Sequence, residues 1–112
     1  MGTTVKTLIK GEEGFKEFFN VKEYNSSGVK VAKDLTGFIV TIYIYDLKRT
    51  ANLVANAACT VETPGTAGQA SFTVTTASTA TVGKYLGRLK MVNGGETTWS
   101  DEFEWNVEAN HP

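Results

Sequence analysis

One cysteine, one histidine and two prolines in 112 residues leave little material for chemistry, and each scarcity excludes something. Cys59 has no partner for an intramolecular disulfide, so the fold must hold by packing alone. Its neighbours Ala57, Ala58, Thr60 and Val61 give it the setting of a small buried strand residue, with no histidine nearby to activate the thiol. The histidine, His111, stands beside Pro112 in a terminal stretch where chains fray, which suits neither a catalytic triad nor a metal site. No acidic loop has calcium-binding spacing, so neither a metal nor another cofactor is expected. A surplus of positive charge is missing too. Eleven Lys and Arg against twelve Asp and Glu leave a net charge of -1, which gives no reason to expect nucleic acid as a partner. The longest apolar run, Phe38 to Tyr45, falls far short of the roughly 20 residues that span a bilayer as a helix, so no membrane insertion is expected. The start, Met1 to Lys6, carries neither an apolar export core nor the Ser or Thr of a myristoylation signal. The expectation is a soluble chain made in the cytoplasm.

What is present points to strands. An apolar content of 41% and a charged content of 21% are those of an ordinary globular protein, and the length suits a single domain over residues 1 to 112. Sixteen threonines, with many Val, Tyr and Phe, favour a pleated, half-buried backbone. In Phe38 to Tyr45, the residues Phe38, Val40, Ile42 and Ile44 share one face at period two, which predicts a central strand. Its other face carries Ile39, Thr41, Tyr43 and Tyr45, too apolar for a surface that meets only water; it is covered either by the protein's own loops or by another chain. Gln69 to Thr75 alternates with Ala70, Phe72 and Val74 on one side, and Ala57 to Glu62 is expected to pair back onto it with Cys59 and Val61 inward. Tyr85 to Met91 forms a hairpin with Thr97 to Val107 through Asn93-Gly94-Gly95. Setting Met91 opposite Trp99 places Gly87 against Phe103, Tyr85 against Trp105 and Arg88 beside Glu102. The same register points Asp101 inward, which predicts a bulge or an edge there.

The first third is less regular. Residues 1 to 14 read as an extended amino-terminal arm, with Thr3 to Lys10 as a strand donor, and 108 to 112 read as a tail. Phe15 to Tyr24 is read as strand, although a short helix over Glu12 to Phe19 also fits its spacing. Asn25 to Gly28 is a turn and Val29 to Ala32 a short strand. Gly83 and Tyr85 have the spacing of a tyrosine corner just before the penultimate strand, the device by which a phenol bonds back to upstream backbone in immunoglobulin-like sandwiches. Together these signals predict an all-β, immunoglobulin-like antiparallel sandwich of about seven strands. The Gly94-Gly95 pair is a hairpin turn and not a phosphate cradle, since no helix follows it. The acidic groups Glu12, Glu13, Asp101, Glu102 and Glu104 read as solvated faces, and a sandwich this small seldom carries a deep cleft, so no enzyme is expected. Trp99, Phe103 and Trp105 read as core, with Trp99, nearest the hairpin tip, the most exposed and a candidate stacking platform for sugar.

Asp34-Leu35-Thr36-Gly37-Phe38-Ile39-Val40-Thr41-Ile42-Tyr43-Ile44-Tyr45-Asp46 resembles the "DLTGATVTFKVYD" strand of the amino-terminal immunoglobulin-like domain of tailed-phage upper baseplate proteins. Ala57 to Val61, Gly68 to Thr75, and Thr79 to Tyr85 with the hairpin beyond it are similar to that family's later blocks, in the same order, so the resemblance covers about Phe15 to Val107. It implies a non-enzymatic part of a virion that attaches other virion proteins through strand edges and loops. In the family a helical segment and a region holding receptor-binding proteins often follow; this sequence has neither, which shifts the expectation to a capsid decoration protein, a head fibre or a tail or baseplate adaptor. The expected partner contacts are Ile39, Tyr43 and Tyr45, Leu8 in the arm, Phe18 and Trp99. Self-association on a symmetric assembly is expected with them. A glycan-binding module for cell-surface attachment is the alternative, and a spacer from a bacterial surface protein a weaker one.

Overall fold

A computed structural model describes residues 4–110, and the readings placed on Thr3 and His111 fall outside them. Eleven strands follow in order: β1 (Val5–Ile9), β2 (Lys16–Asn20), β3 (Lys22–Tyr24), β4 (Lys30–Ala32), β5 (Ile39–Asp46), β6 (Asn52–Ala58), β7 (Thr60–Val61), β8 (Gln69–Thr73), β9 (Gly83–Asn93), β10 (Glu96–Trp99) and β11 (Phe103–Glu108). The larger sheet has the order β1-β11-β9-β5-β6, with β10 paired to β9, and the smaller one runs β2-β8-β7. With β2, β8 and β7 facing a sheet built on β5, β9 and β11, the chain has the two-sheet arrangement of an immunoglobulin-like sandwich. The strand count exceeds seven because β3 and β4 form a separate hairpin and the return strand is interrupted between Trp99 and Phe103. The pairing of β1 with β11 is parallel, an exception to the otherwise antiparallel ladders.

Alternation in the sequence selects the core. Val40, Ile42 and Ile44 of β5, Leu89 and Met91 of β9, Ala70 and Phe72 of β8, and Phe103, Trp105 and Val107 of β11 turn into the space between the sheets. The Trp105 indole is fully buried, lies 6.0 Å from Phe72 and 6.4 Å from Phe103 between ring centroids, and donates from Nε1 to the Ser78 carbonyl at 2.8 Å. Gly87 faces Phe103 across the β9 and β11 ladder, so the large ring takes the room left by the missing side chain. The Tyr85 hydroxyl donates to the Thr81 carbonyl at 2.9 Å, closing the predicted tyrosine corner, with Gly83 against the phenol ring. Phe15 to Tyr24 is extended and not helical, with Phe19 and Val21 buried.

Three readings are corrected. Ala57 to Glu62 does not pair as a whole with Gln69 to Thr75: Ala57 and Ala58 pair with Ile42 and Thr41 of β5, and Thr60 and Val61 pair with β8. Leu8 is not an exposed contact of a free arm: it is 1% exposed, because β1 docks parallel on β11 and aligns Leu8 with Val107 over the core. Val5 to Ile9 is therefore an integral outer strand of the sandwich and not a donor to a neighbour. Trp99 does not face Met91; Thr98 does, and Trp99 pairs with Lys90. One residue of slip puts Trp99 on the opposite face from Met91, and the chain regains the expected register at Phe103 after an irregular stretch in which the Asp101 side chain is 94% exposed.

An ionic knot ties the β3 and β4 hairpin to the rest. The nearly buried Lys33 ammonium lies 3.3 Å from a Glu23 carboxylate oxygen, 3.7 Å from one of Glu96 and 4.8 Å from the centre of the Phe38 ring. It joins the segment after β4 to the first residue of β10. Among the described residues no helix is long and apolar enough to cross a membrane.

Candidate docking surface

Residues directly opposite one another in a ladder share a face, so the pairings spell out the outer surface of the larger sheet. Ile39 lies beside Val92 and Thr97, Thr41 beside Lys90 and Trp99, Tyr43 beside Arg88, and Tyr45 beside Leu86. Ile39 is 70% exposed and Trp99 46%, while Tyr43, Tyr45, Leu86 and Val92 are half-buried. The Tyr43 and Trp99 rings stand 5.5 Å apart, and the Lys90 ammonium sits 5.7 Å from the centre of the indole. Ile39, Val92, Tyr43 and Trp99 thus make a continuous apolar and aromatic surface with cations set into it.

At its far end the surface is polar and fixed. The Tyr45 hydroxyl donates to Glu102 Oε2 at 2.6 Å, and Arg49 forks onto the same carboxylate with Nε at 3.1 Å and an Nη at 2.7 Å. Arg49 reaches it from the turn after β5, where its own φ is 58° and the Asp46 carboxylate accepts from the Thr50 amide and hydroxyl. The Arg49 and Tyr45 hydrogen bonds hold the Glu102 carboxyl below its ordinary range, while burial and the bond to Glu102 push the Tyr45 phenol up to about 12. Hydrogen bonds from Thr36, Thr50 and Ser71 likewise lower Asp34, Asp46 and Glu62. A carboxylate with a depressed folded pKa stabilises the fold above its unfolded pKa and loses that contribution as pH falls through the folded value. Thermal midpoints are therefore expected to hold near neutrality and to fall on acidification below the ordinary Glu value of 4.5. Glu102→Gln should make that acid limb shallower; an unchanged limb would show that this network carries none of it.

The expected contact residues do not form one surface. Ile39, Tyr43 and Trp99 do come together; Tyr45 lies on the same face with its hydroxyl committed to Glu102. Phe18 is 42% exposed but belongs to β2 in the other sheet, and Leu8 is in the core. Tyr85, Gly83 and Trp105 hold the structural positions described above. Sequence reasoning missed Val92, Lys90 and Arg49; the first two are legible once β9 is laid beside β5, whereas nothing local signals that Arg49 reaches a carboxylate 53 positions on. Cys59 packs against the core, and burial pushes its thiol up to about 12, which leaves it almost wholly protonated near neutral pH. Among the described residues, no group of three His, Cys, Asp or Glu side chains is placed to hold a metal ion. No protein-family model matches the chain, and no curated protein matches it.

Proposed function

We propose that this protein is a non-enzymatic structural component of a tailed virus particle, a capsid decoration protein, head fibre or tail or baseplate adaptor. It docks on other virion proteins through the outer face of the larger sheet and acts in the assembled virion. The observation that carries the reading is the exposed Ile39 and Trp99 pair, joined by Val92 and Tyr43 into one apolar surface on the outer face of the larger sheet. Such a surface is costly to leave in water and suits a protein contact. The resemblance of Asp34 to Asp46 and the later blocks to the baseplate domain supports the choice of partner.

The test is light scattering on the isolated chain, followed by co-sedimentation with tailed particles from its source. Saturable binding or a closed oligomer is expected. Ile39→Asp and Trp99→Ser should each weaken the contact roughly 10- to 100-fold, as central anchors do, with little change in melting because both side chains are exposed. A monomer that ignores particles overturns the reading.

The glycan-binding alternative draws on one observation, the exposed indole flanked by the Tyr43 ring and the Lys90 ammonium. Because Trp105 is fully buried, a change in tryptophan emission on sugar titration would report Trp99. Silence across a broad panel would remove that alternative.

A further inference from the structure

β2 is an outer strand of its sheet, with β8 along one edge and, among the described residues, no strand along the other. The register fixes which backbone groups this leaves open. β2 runs against β8 from Lys16 opposite Thr73 to Asn20 opposite Gln69, and just past its end the Val21 amide donates to the Gly68 carbonyl at 2.7 Å. Residues that bond to the partner alternate in an antiparallel ladder. Glu17, Phe19 and Val21 therefore direct their backbone groups at β8, and Lys16, Phe18 and Asn20 direct theirs to the open side. Lys6 agrees with this orientation: its ammonium reaches across from β1 and donates to the Phe18 carbonyl at 2.8 Å, beside Glu17 at 3.4 Å and above the Phe19 ring.

Of the other outer strands of the two main sheets, β6 and β7 are blunted and β1 is closed at one end, while β10, paired to β9 alone, is four residues long. β6 shifts register twice against β5, with Asn56 at a φ of 56°, and β7 is two residues long. On β1, Glu12 closes off Ile9 by accepting its amide at 2.7 Å on the side chain and donating to its carbonyl at 3.1 Å. β2 has five residues, no bulge and an exposed Phe18, and its one guard is a lysine side chain. Beside it runs a groove of about 480 Å³ walled by five successive residues, Phe18 to Lys22. Lys6, Lys22 and Lys30 line the groove with Asp101 and Glu102; Glu102 is held by Arg49, Lys6 lies 3.4 Å from Glu17 and Lys30 3.7 Å from Asp101, which leaves one lysine, Lys22, with no carboxylate within ion-pair reach among the described residues. The balance favours a negatively charged occupant.

We propose that the open edge of β2 accepts an extended acidic segment of a partner protein as an added strand. The incoming backbone bonds to Phe18 and Asn20, its apolar side chains pack on Phe18, and its carboxylates meet Lys6, Lys22 and Lys30. Lys6 holds the Phe18 carbonyl while the edge is empty and turns to a carboxylate when an incoming amide takes its place. This site does not include Ile39 or Trp99, although Glu102 borders both surfaces, and it stands or falls independently of the first.

The experiment is amide hydrogen exchange on the full chain, read residue by residue, with a capped alternating glutamate and valine heptapeptide as probe. A lysine and valine heptapeptide serves as the control. At saturation, exchange at Phe18 and Asn20 is expected to slow roughly 10-fold or more, with the Ile39 amide unchanged and the lysine peptide inactive. Phe18→Pro removes an edge amide that the β8 ladder does not use and should abolish the response. Should that variant fail to fold, the pair Lys22→Glu and Lys30→Glu decides, since it should reverse the preference toward the lysine peptide. No slowing at Phe18 and Asn20, equal response to both peptides, or an unaltered preference in the charge-reversed variant overturns the proposal. So does slowing that grows with protein concentration alone, which would make a second copy the occupant.

Discussion

Trp105→Ala is expected to lower the thermal midpoint by roughly 15 to 25 °C, from a loss of about 3 to 5 kcal/mol for truncating a buried aromatic in a domain of this size. The indole is fully enclosed, touches aromatic rings of both sheets and donates to Ser78, so its removal opens a cavity and strands a buried carbonyl. Ser78 lies in the turn at Ala77–Thr79 that carries the chain from β8 back to β9, and the same connection receives the Tyr85 phenol at Thr81. The mutation therefore loosens a crossover between sheets as well as the core. Trp105→Phe, which keeps a ring and loses the donor, should fall between the two. Circular dichroism melts of the three proteins make the comparison; an alanine variant melting within a few degrees of the parent would show that the core is not centred here.

Gly87→Ala is expected to cost about 1 to 3 kcal/mol, the usual penalty of overpacking, with the upper end favoured by the surroundings. A methyl group at Gly87 would enter the van der Waals envelope of the Phe103 ring, and on another side it would meet the Tyr43 carbonyl at 3.1 Å. Phe103 cannot retreat easily, since its ring packs at a tilt against that of Phe19, 4.6 Å between centres. Phe103→Leu in the same chain should recover part of the loss, so the double variant is more stable than the sum of the single effects predicts. Urea unfolding of the four proteins of the cycle measures this directly, and strict additivity would mean that Gly87 and Phe103 do not share the space.

That pair was read correctly from the sequence although its anchor, Met91 opposite Trp99, was one residue off, because the irregular stretch before Phe103 restores the expected count. Val40, Ile42 and Ile44, and the tyrosine corner, were legible directly, because there the signal is local. The failures have local causes as well. Lys6 shares the inward side of β1 with Leu8, its ammonium 5.1 Å from the centre of the Phe19 ring and bonded to the Phe18 carbonyl, so Val5 to Ile9 shows no clean alternation and Leu8 could not be recognised as core. The slip near Ser100 was announced by the inward-pointing Asp101 that an uninterrupted register would require, but not its position, so the side to which Trp99 turns was settled only by the pairing with Lys90. On the candidate surface, Ile39 and Tyr43 were visible from their own strand, whereas Val92 and Lys90 depend on which strand lies alongside.

The Lys33 knot has a bearing on how firmly that surface is presented. Glu96, one of the two carboxylates that hold Lys33, opens the short strand that ends in Trp99, so the pose of the indole is anchored by an attraction at some distance from any bound partner. Ionic strength would weaken that anchor as mobile ions screen the partly exposed carboxylates. On the proposed function, attachment to the particle should then be more salt-sensitive than the charges facing the partner alone would produce. Lys33→Met, which keeps an unbranched side chain and removes the ammonium, would separate the two contributions: tightness lost through a wandering platform, and tightness lost through screened contact.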